Sequence, residues 1–176
     1  MAFYTGDFKW AQAQLDVLKG STSKLISNDA MALSILISDN VGWDSIEAPL
    51  LMYARADLLS FQNKDAQALQ TLDSIGKLYP GHKLADEVLY KRYQIAMKQN
   101  KFQEAATYLE GIVNGYADDI LGDDALFYLA ELYELKLSDK NKAQELYKDV
   151  LTKYPGSLFT VEARRRYRLL RGDQLN

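Results

Sequence analysis

The chain has 176 residues, 48% of them hydrophobic, no cysteine, and a formal charge of -3 from 21 Lys and Arg against 24 Asp and Glu. The apolar share excludes a disordered chain and the charge balance disfavours a general nucleic-acid binder. Without thiols there is no cysteine catalysis, thiolate metal site or disulfide. No apolar run approaches a bilayer span, and the opening MAFYTGDF has neither a charged leader nor an apolar signal core, so no membrane span is expected. The compartment, cytoplasmic or periplasmic and cell-envelope associated, is left open.

From the start, Gly6-Asp7-Phe8 followed by Ala11, Leu15 and Leu18 predicts a helix over 7–19. Its pattern matches the second half of a unit that recurs downstream, while only residues 2–4 are available for the first half. The reading is therefore that the chain begins inside a repeat, a half repeat over 1–22, and is a piece of a longer protein. Its apolar face would be exposed and open to homo-oligomer pairing. Next, Asn28-Asp29 predicts the cap of an inserted helix running to Asn40, within a segment 23–43. Ala30, Leu33, Ile37 and Val41 make one stripe with Met31 and Ile35 beside it, which predicts a helix buried nearly all round. A loop around Trp43 leads to Asp44 or Ser45 as the next cap.

Three helix pairs follow, predicted over 47–61 with 65–78, 83–98 with 102–115, and 119–137 with 140–153. They fill the repeats 44–81, 82–118 and 119–156. Aligned on Ala68, Ala105 and Ala143, the second helices start 37 and 38 residues apart. Each continues with a large residue four positions on (Leu72, Leu109, Tyr147), an aliphatic one three further (Ile75, Ile112, Val150) and a closing Tyr79, Tyr116 or Tyr154. Self-similarity at this period signals stacked repeats rather than one globular core. In the segment 157–176, Ser157 is placed to cap a last helix ending near Gly172, whose line Phe159, Ala163, Tyr167 and Leu170 would cover the final pair. About nine helices are expected.

These residues resemble tetratricopeptide repeats. The first-helix pattern of large, small and aromatic stands as Leu126, Ala130 and Tyr133, with Met52 and Ala56 in an earlier copy. The middle copy departs from it, with Tyr93 at the small position and Ala117 where the others have Pro80 and Pro155. The closing run YPGSLFTVEARRRYRLLRGD is similar to the C-terminal end of large bacterial proteins of this kind. The resemblance implies an all-α, right-handed solenoid of antiparallel helix pairs, with one inserted helix and a C-terminal capping helix. It also implies a non-catalytic scaffold that binds a protein or peptide in a concave groove.

One outward position of the first helices carries Tyr53, Tyr90 and Phe127 at equal steps of 37. Asp57, Gln94 and Glu131 stand one turn later. Rings along a groove would suit a peptide or partner helix of basic or amphipathic character, since they give large contact area at small entropy cost. The same rings would equally serve as packing between neighbouring pairs, in which case the chain is a structural or self-associating segment of a larger solenoid. Arg164, Arg168 and Arg171 form a second, basic face for an acidic partner or phosphate, or else complement the C-terminal end of their helix. Asp118, Asp119, Asp123 and Asp124 lack the ligand spacing of a calcium loop and suit a helix entrance, so no metal is expected. The lone His82 sits in a turn, and no nucleophile or acid-base pair accompanies it. No cofactor and no enzyme activity are expected.

Overall fold

A computed structural model describes residues 1–41 and 46–173, and among these the chain forms ten helices and no strand. It divides into two compact units, Met1–Ala85 and Asp86–Asn176.

In the first unit a short α1 (Ala2–Thr5) ends at Gly6, whose φ of 81° lets the chain turn sharply into α2 (Phe8–Lys19). The Asp7 carboxylate caps α2 by accepting from the Trp10 N–H at 3.1 Å. Phe8, Ala11 and Leu15 are its buried face, at the spacing that defines one side of a helix. The next helix, α3 (Lys24–Asn40), starts earlier than expected: Asn28 and Asp29 lie inside it as exposed residues rather than at its cap. Nor is it buried all round. Ala30, Ser34 and Ile37 form its buried side while Met31 stays 48% exposed, because the helix packs chiefly on α2. The expected loop at Trp43 and cap at Asp44 or Ser45 fall outside the described residues. Then come α4 (Ala48–Phe61), with Pro49 in its first turn where the missing N–H costs nothing, and α5 (Asp65–Leu78) packed against it.

The second unit runs through α6 (Ala85–Lys98), α7 (Phe102–Gly115), α8 (Gly122–Leu135), α9 (Lys140–Lys153) and α10 (Thr160–Arg171). Its core is built from the small and large residues of the repeat pattern. Ala105, Leu109, Ile112, Ala130, Ala143, Tyr147 and Val150 are all fully buried in one cluster. A small residue at each crossing lets two helix backbones approach while the larger ones fill the space on either side. The predicted covering line of α10 packs here too, with Ala163 fully buried and Phe159, Tyr167 and Leu170 half-buried against the cluster. Four boundaries differ from expectation: α6 starts at Ala85 rather than at 83, α8 ends at Leu135 rather than at 137, and the other two have a visible cause. α8 begins at Gly122, because Asp118 and Asp119 lie in a turn closed by the bonds Asp119 N–H to Tyr116 O and Gly122 N–H to Asp119 O. The cap position of α10 is Phe159, whose N–H donates to the Ser157 hydroxyl oxygen at 3.1 Å, so Ser157 shapes the entry without being the cap.

From α4 to α9 every helix has 14 residues. The connection inside a pair has three residues, or four in the last, and that between pairs has six, which gives the steps of 37 and 38. Each connection inside a pair contains one left-handed residue, Asn63, Asn100 or Ser138, with φ of 60°, 57° and 57°. Asn tolerates that region through its short polar side chain.

Candidate partner-binding site

The three predicted rings have different surroundings. Tyr53, in the first unit, is only 7% exposed. In the second unit Phe127 is 5% exposed and stacks on Phe159 with centroids 4.4 Å apart and planes 12° apart, so the entry to α10 covers it. Tyr90 alone keeps an open edge, being half-buried. The polar positions one turn later already have internal partners. Asp57 accepts from the Tyr4 hydroxyl at 2.9 Å, Gln94 accepts from Lys91 Nζ at 2.7 Å, and Glu131 receives Arg166 Nη2 at 3.0 Å.

Around Tyr90 stands a group of rings that the equal-step pattern does not show. Tyr90 and Tyr93, three positions apart on α6, have centroids 5.4 Å apart; both reach Tyr128 of α8, at 6.5 Å and 6.2 Å. The Tyr93 and Tyr128 planes lie 27° apart, near parallel, while Tyr90 is tilted by about half a right angle to both. The result is a three-ring corner, all members half-buried. Tyr93 is the residue that breaks the small-residue pattern, and its ring joins that of Tyr90 in meeting Tyr128. Tyr128 sits beside Phe127 in sequence, and the rotation of about 100° per helical residue turns one ring to the core and the other to this corner.

Asp124 lies one turn before Tyr128 on the same face of α8. Burial, and then the like charge of Asp123, push its carboxyl up to about 6. Among the described residues no cation contributes to that environment. Burial raises the Tyr90 hydroxyl far above its usual range, with the Asp124 charge adding, and raises Tyr93 to about 12, with Tyr128 and Glu131 adding. Lys91 and Arg92 of α6 are directed elsewhere, to Gln94 and over the Tyr108 ring at 5.9 Å. The corner is thus a negative, partly desolvated surface of π faces and carboxylate.

A stability measurement checks this. A carboxyl whose folded pKa is raised makes the folded state bind the proton more tightly than the unfolded state. Stability is then highest below the ordinary value of 3.8 and falls as pH rises towards about 6. At neutral pH the penalty is roughly 1–2 kcal/mol after allowing for the solvent the group still sees, offset by up to about 0.5 kcal/mol because a first-turn acid suits the helix dipole. Asp124→Asn should therefore stabilise the protein by about 1 kcal/mol near pH 7.5, and the gain should vanish near pH 4. Thermal melts at the two pH values give the answer, and an equal melting temperature at neutral pH would show that the carboxylate is well hydrated.

The other sequence candidates have the following surroundings. Arg168 and Arg171 both bond Asp173, and Arg164 is exposed. His82 Nδ1 accepts from the Leu84 N–H at 3.3 Å, and its pKa is lowered by burial and by Lys83. Asp123 accepts from the Asp124 N–H. Among the described residues no group of His, Cys, Asp and Glu is placed to hold a metal ion, and no helix is long and apolar enough to cross a membrane.

Comparison with known proteins bears on the repeats. The tetratricopeptide repeat family model matches residues 51–82 and 124–157. These segments are tetratricopeptide repeats. The middle copy, carrying Tyr93 and Ala117, lies between the two matched segments, so the ring corner joins Tyr90 and Tyr93 of the unmatched copy to Tyr128 of a matched one. Among solved structures, the MamA RS-1 ArsTM double mutant is similar with a TM-score of 0.54 at 17% identity, over 94% of this chain and 82% of that one. At that identity the likeness is one of fold, an all-α tetratricopeptide architecture. No curated protein matches the sequence.

Proposed function

We propose that the chain is a non-catalytic protein-interaction scaffold that receives a segment of a partner protein on the ring face of α6 and α8. Tetratricopeptide repeats serve in general as protein-binding scaffolds, which supports the broad reading. The observation that carries the specific one is the half-buried corner of Tyr90, Tyr93 and Tyr128, since aromatic side chains left partly open at the surface are the residues that dominate partner binding. Tyr53 and Phe127 stay in the proposal as the packed support of their helices rather than as contact surface. Gln94 and Glu131 flank the corner.

The expected result is that Tyr90→Ala and Tyr128→Ala together weaken a captured partner by at least about 30-fold, each ring contributing roughly 1 kcal/mol or more. Circular dichroism must show both variants folded. Affinity is then measured with the purified partner recovered by wild type. Equal affinity for variant and wild type would remove the ring face as the site.

A second reading has its own observation. Trp10 is 58% exposed, and Val17, Leu18, Ile26 and Met31 are also open on α2 and α3. Those residues favour a structural, self-associating segment. Sedimentation equilibrium distinguishes the two, since self-association through that surface would appear as a dimer that Trp10→Ser disperses.

A further inference from the structure

The ring corner also indicates which chemistry the partner brings. Its three members meet with centroids 5.4, 6.2 and 6.5 Å apart, which leaves no room for another ring to stack between them, and each ring stays half-buried, so part of each is open to solvent. The face of a phenol ring carries negative potential and attracts a cation within about 6 Å of its centroid. Asp124 adds a formal negative charge in the same place, and Glu131 acts on Tyr93 and Tyr128 from one turn further along α8.

Among the described residues, no positive charge acts on Asp124. Glu131 is neutralised by Arg166 at 3.0 Å, whereas the charge acting on Asp124 is that of Asp123, of the same sign. The cations of α6 are used elsewhere, Lys91 on Gln94 and Arg92 over Tyr108. A carboxylate held against three rings without a counter-ion is costly to the fold, and an incoming cation would remove that cost and gain the ring faces at once.

Resting on the reading that α6 and α8 receive a partner segment, we infer that the segment is basic and seats a lysine or arginine side chain against Tyr90, Tyr93, Tyr128 and Asp124. Charge complementarity commits the site to a cation. An acidic tail would meet Asp123 and Asp124 with like charge. A purely apolar segment would leave the Asp124 carboxylate buried without compensation.

Two arms test this. In the first, n-butylammonium and ethylguanidinium, which carry the end groups of Lys and Arg, are titrated into the whole chain with n-pentanol as the uncharged counterpart, and tyrosine ring resonances are followed by NMR. Saturable shifts at Tyr90, Tyr93 and Tyr128 are expected for both cations. Affinity should fall at least about tenfold in Asp124→Asn, as loss of a partly desolvated charge pair requires. Pentanol shifting the same rings equally, or Asp124→Asn binding the cations as wild type does, overturns the inference. In the second arm, wild type selects from a random peptide library, and the recovered peptides are expected to be enriched in Lys or Arg, with the enrichment lost on Asp124→Asn. Peptides that need Tyr128 but show no basic preference overturn this inference while leaving the scaffold reading intact. Cations that bind with no peptide recovered overturn the choice of a partner's side chain and make the corner a site for free amines.

Discussion

Gly122→Ala is expected to destabilise the second unit by about 3 kcal/mol and lower its melting temperature by roughly 10 °C. A Cβ built at this position would lie 2.2 Å from the Ala117 carbonyl oxygen and 2.9 Å from both the Ala117 carbonyl carbon and the Tyr154 hydroxyl. Two of those atoms are backbone, so no rotamer change can clear them. The same atoms are held together by a bond, as the Tyr154 hydroxyl donates to the Ala117 oxygen at 2.6 Å. Accommodating one methyl therefore means shifting the turn before α8 and giving up the bond that fastens it to the end of α9. Gly76→Ala is the control: it lies inside α5, nothing stands within 4 Å of its would-be Cβ, and it should gain roughly 0.5–1 kcal/mol from helix propensity. Circular dichroism melts of the two variants should move in opposite directions, and a neutral Gly122→Ala would mean the turn is free to relax.

Arg166→Ala should cost about 2 kcal/mol and loosen α10 before the rest of the unit. The guanidinium spends its three nitrogens on three carboxylates, with Nε on Glu162 at 2.8 Å, Nη1 on Glu134 at 3.0 Å and Nη2 on Glu131 at 3.0 Å. The Tyr147 hydroxyl, fully buried in the core, donates to the same Glu134 at 2.7 Å. Removing the arginine leaves Glu131 and Glu134 on one face of α8, half-buried and facing each other without a counter-charge, which costs more than losing an exposed pair. Lysine should restore only part of the loss, because one ammonium cannot satisfy three separate directions in a plane. Hydrogen exchange along α10, read beside Arg164→Ala as an exposed control, measures this; equal protection in both variants would show the network to be dispensable.

Much of the architecture could be read from residue spacing. Ala105, Leu109 and Ile112, or Ala143, Tyr147 and Val150, are core because a period of 3.6 leaves them no other common side, and the structure buries all of them. The same reasoning placed the half-buried covering line of α10 and its stop at Gly172, which takes φ 92°. Spacing gave less where the answer depends on a distant chain segment. Arg164, Arg168 and Arg171 make the regular stripe, yet Arg166 is the arginine that ties helices together, because Glu131 and Glu134 happen to lie opposite it on α8. A first-turn acid reads alike whether hydrated or desolvated, so spacing alone leaves Asp124 a capping residue, whereas the structure buries its carboxyl close to that of Asp123. Phe127 and Tyr128 are adjacent aromatics, and choosing which one faces the core needs the angle at which α10 arrives to cover Phe127. The early start of α3 is hidden by Asn28-Asp29, a pair that reads as a helix cap in the sequence but lies inside the helix.

The division of the chain into two units coincides with a division of its chromophores. Both tryptophans, Trp10 and Trp43, belong in sequence to the stretch Met1–Ala85, while nine of the 12 tyrosines, Tyr90, Tyr93 and Tyr128 among them, belong to Asp86–Asn176. Excitation at the red edge of protein absorption therefore reports the first unit alone. Near-ultraviolet ellipticity in the tyrosine region is dominated by the second, where the ring corner gives it a rigid and asymmetric setting. Unfolding followed at the two wavelengths reads out whether the units melt together or apart, with no label and no mutation.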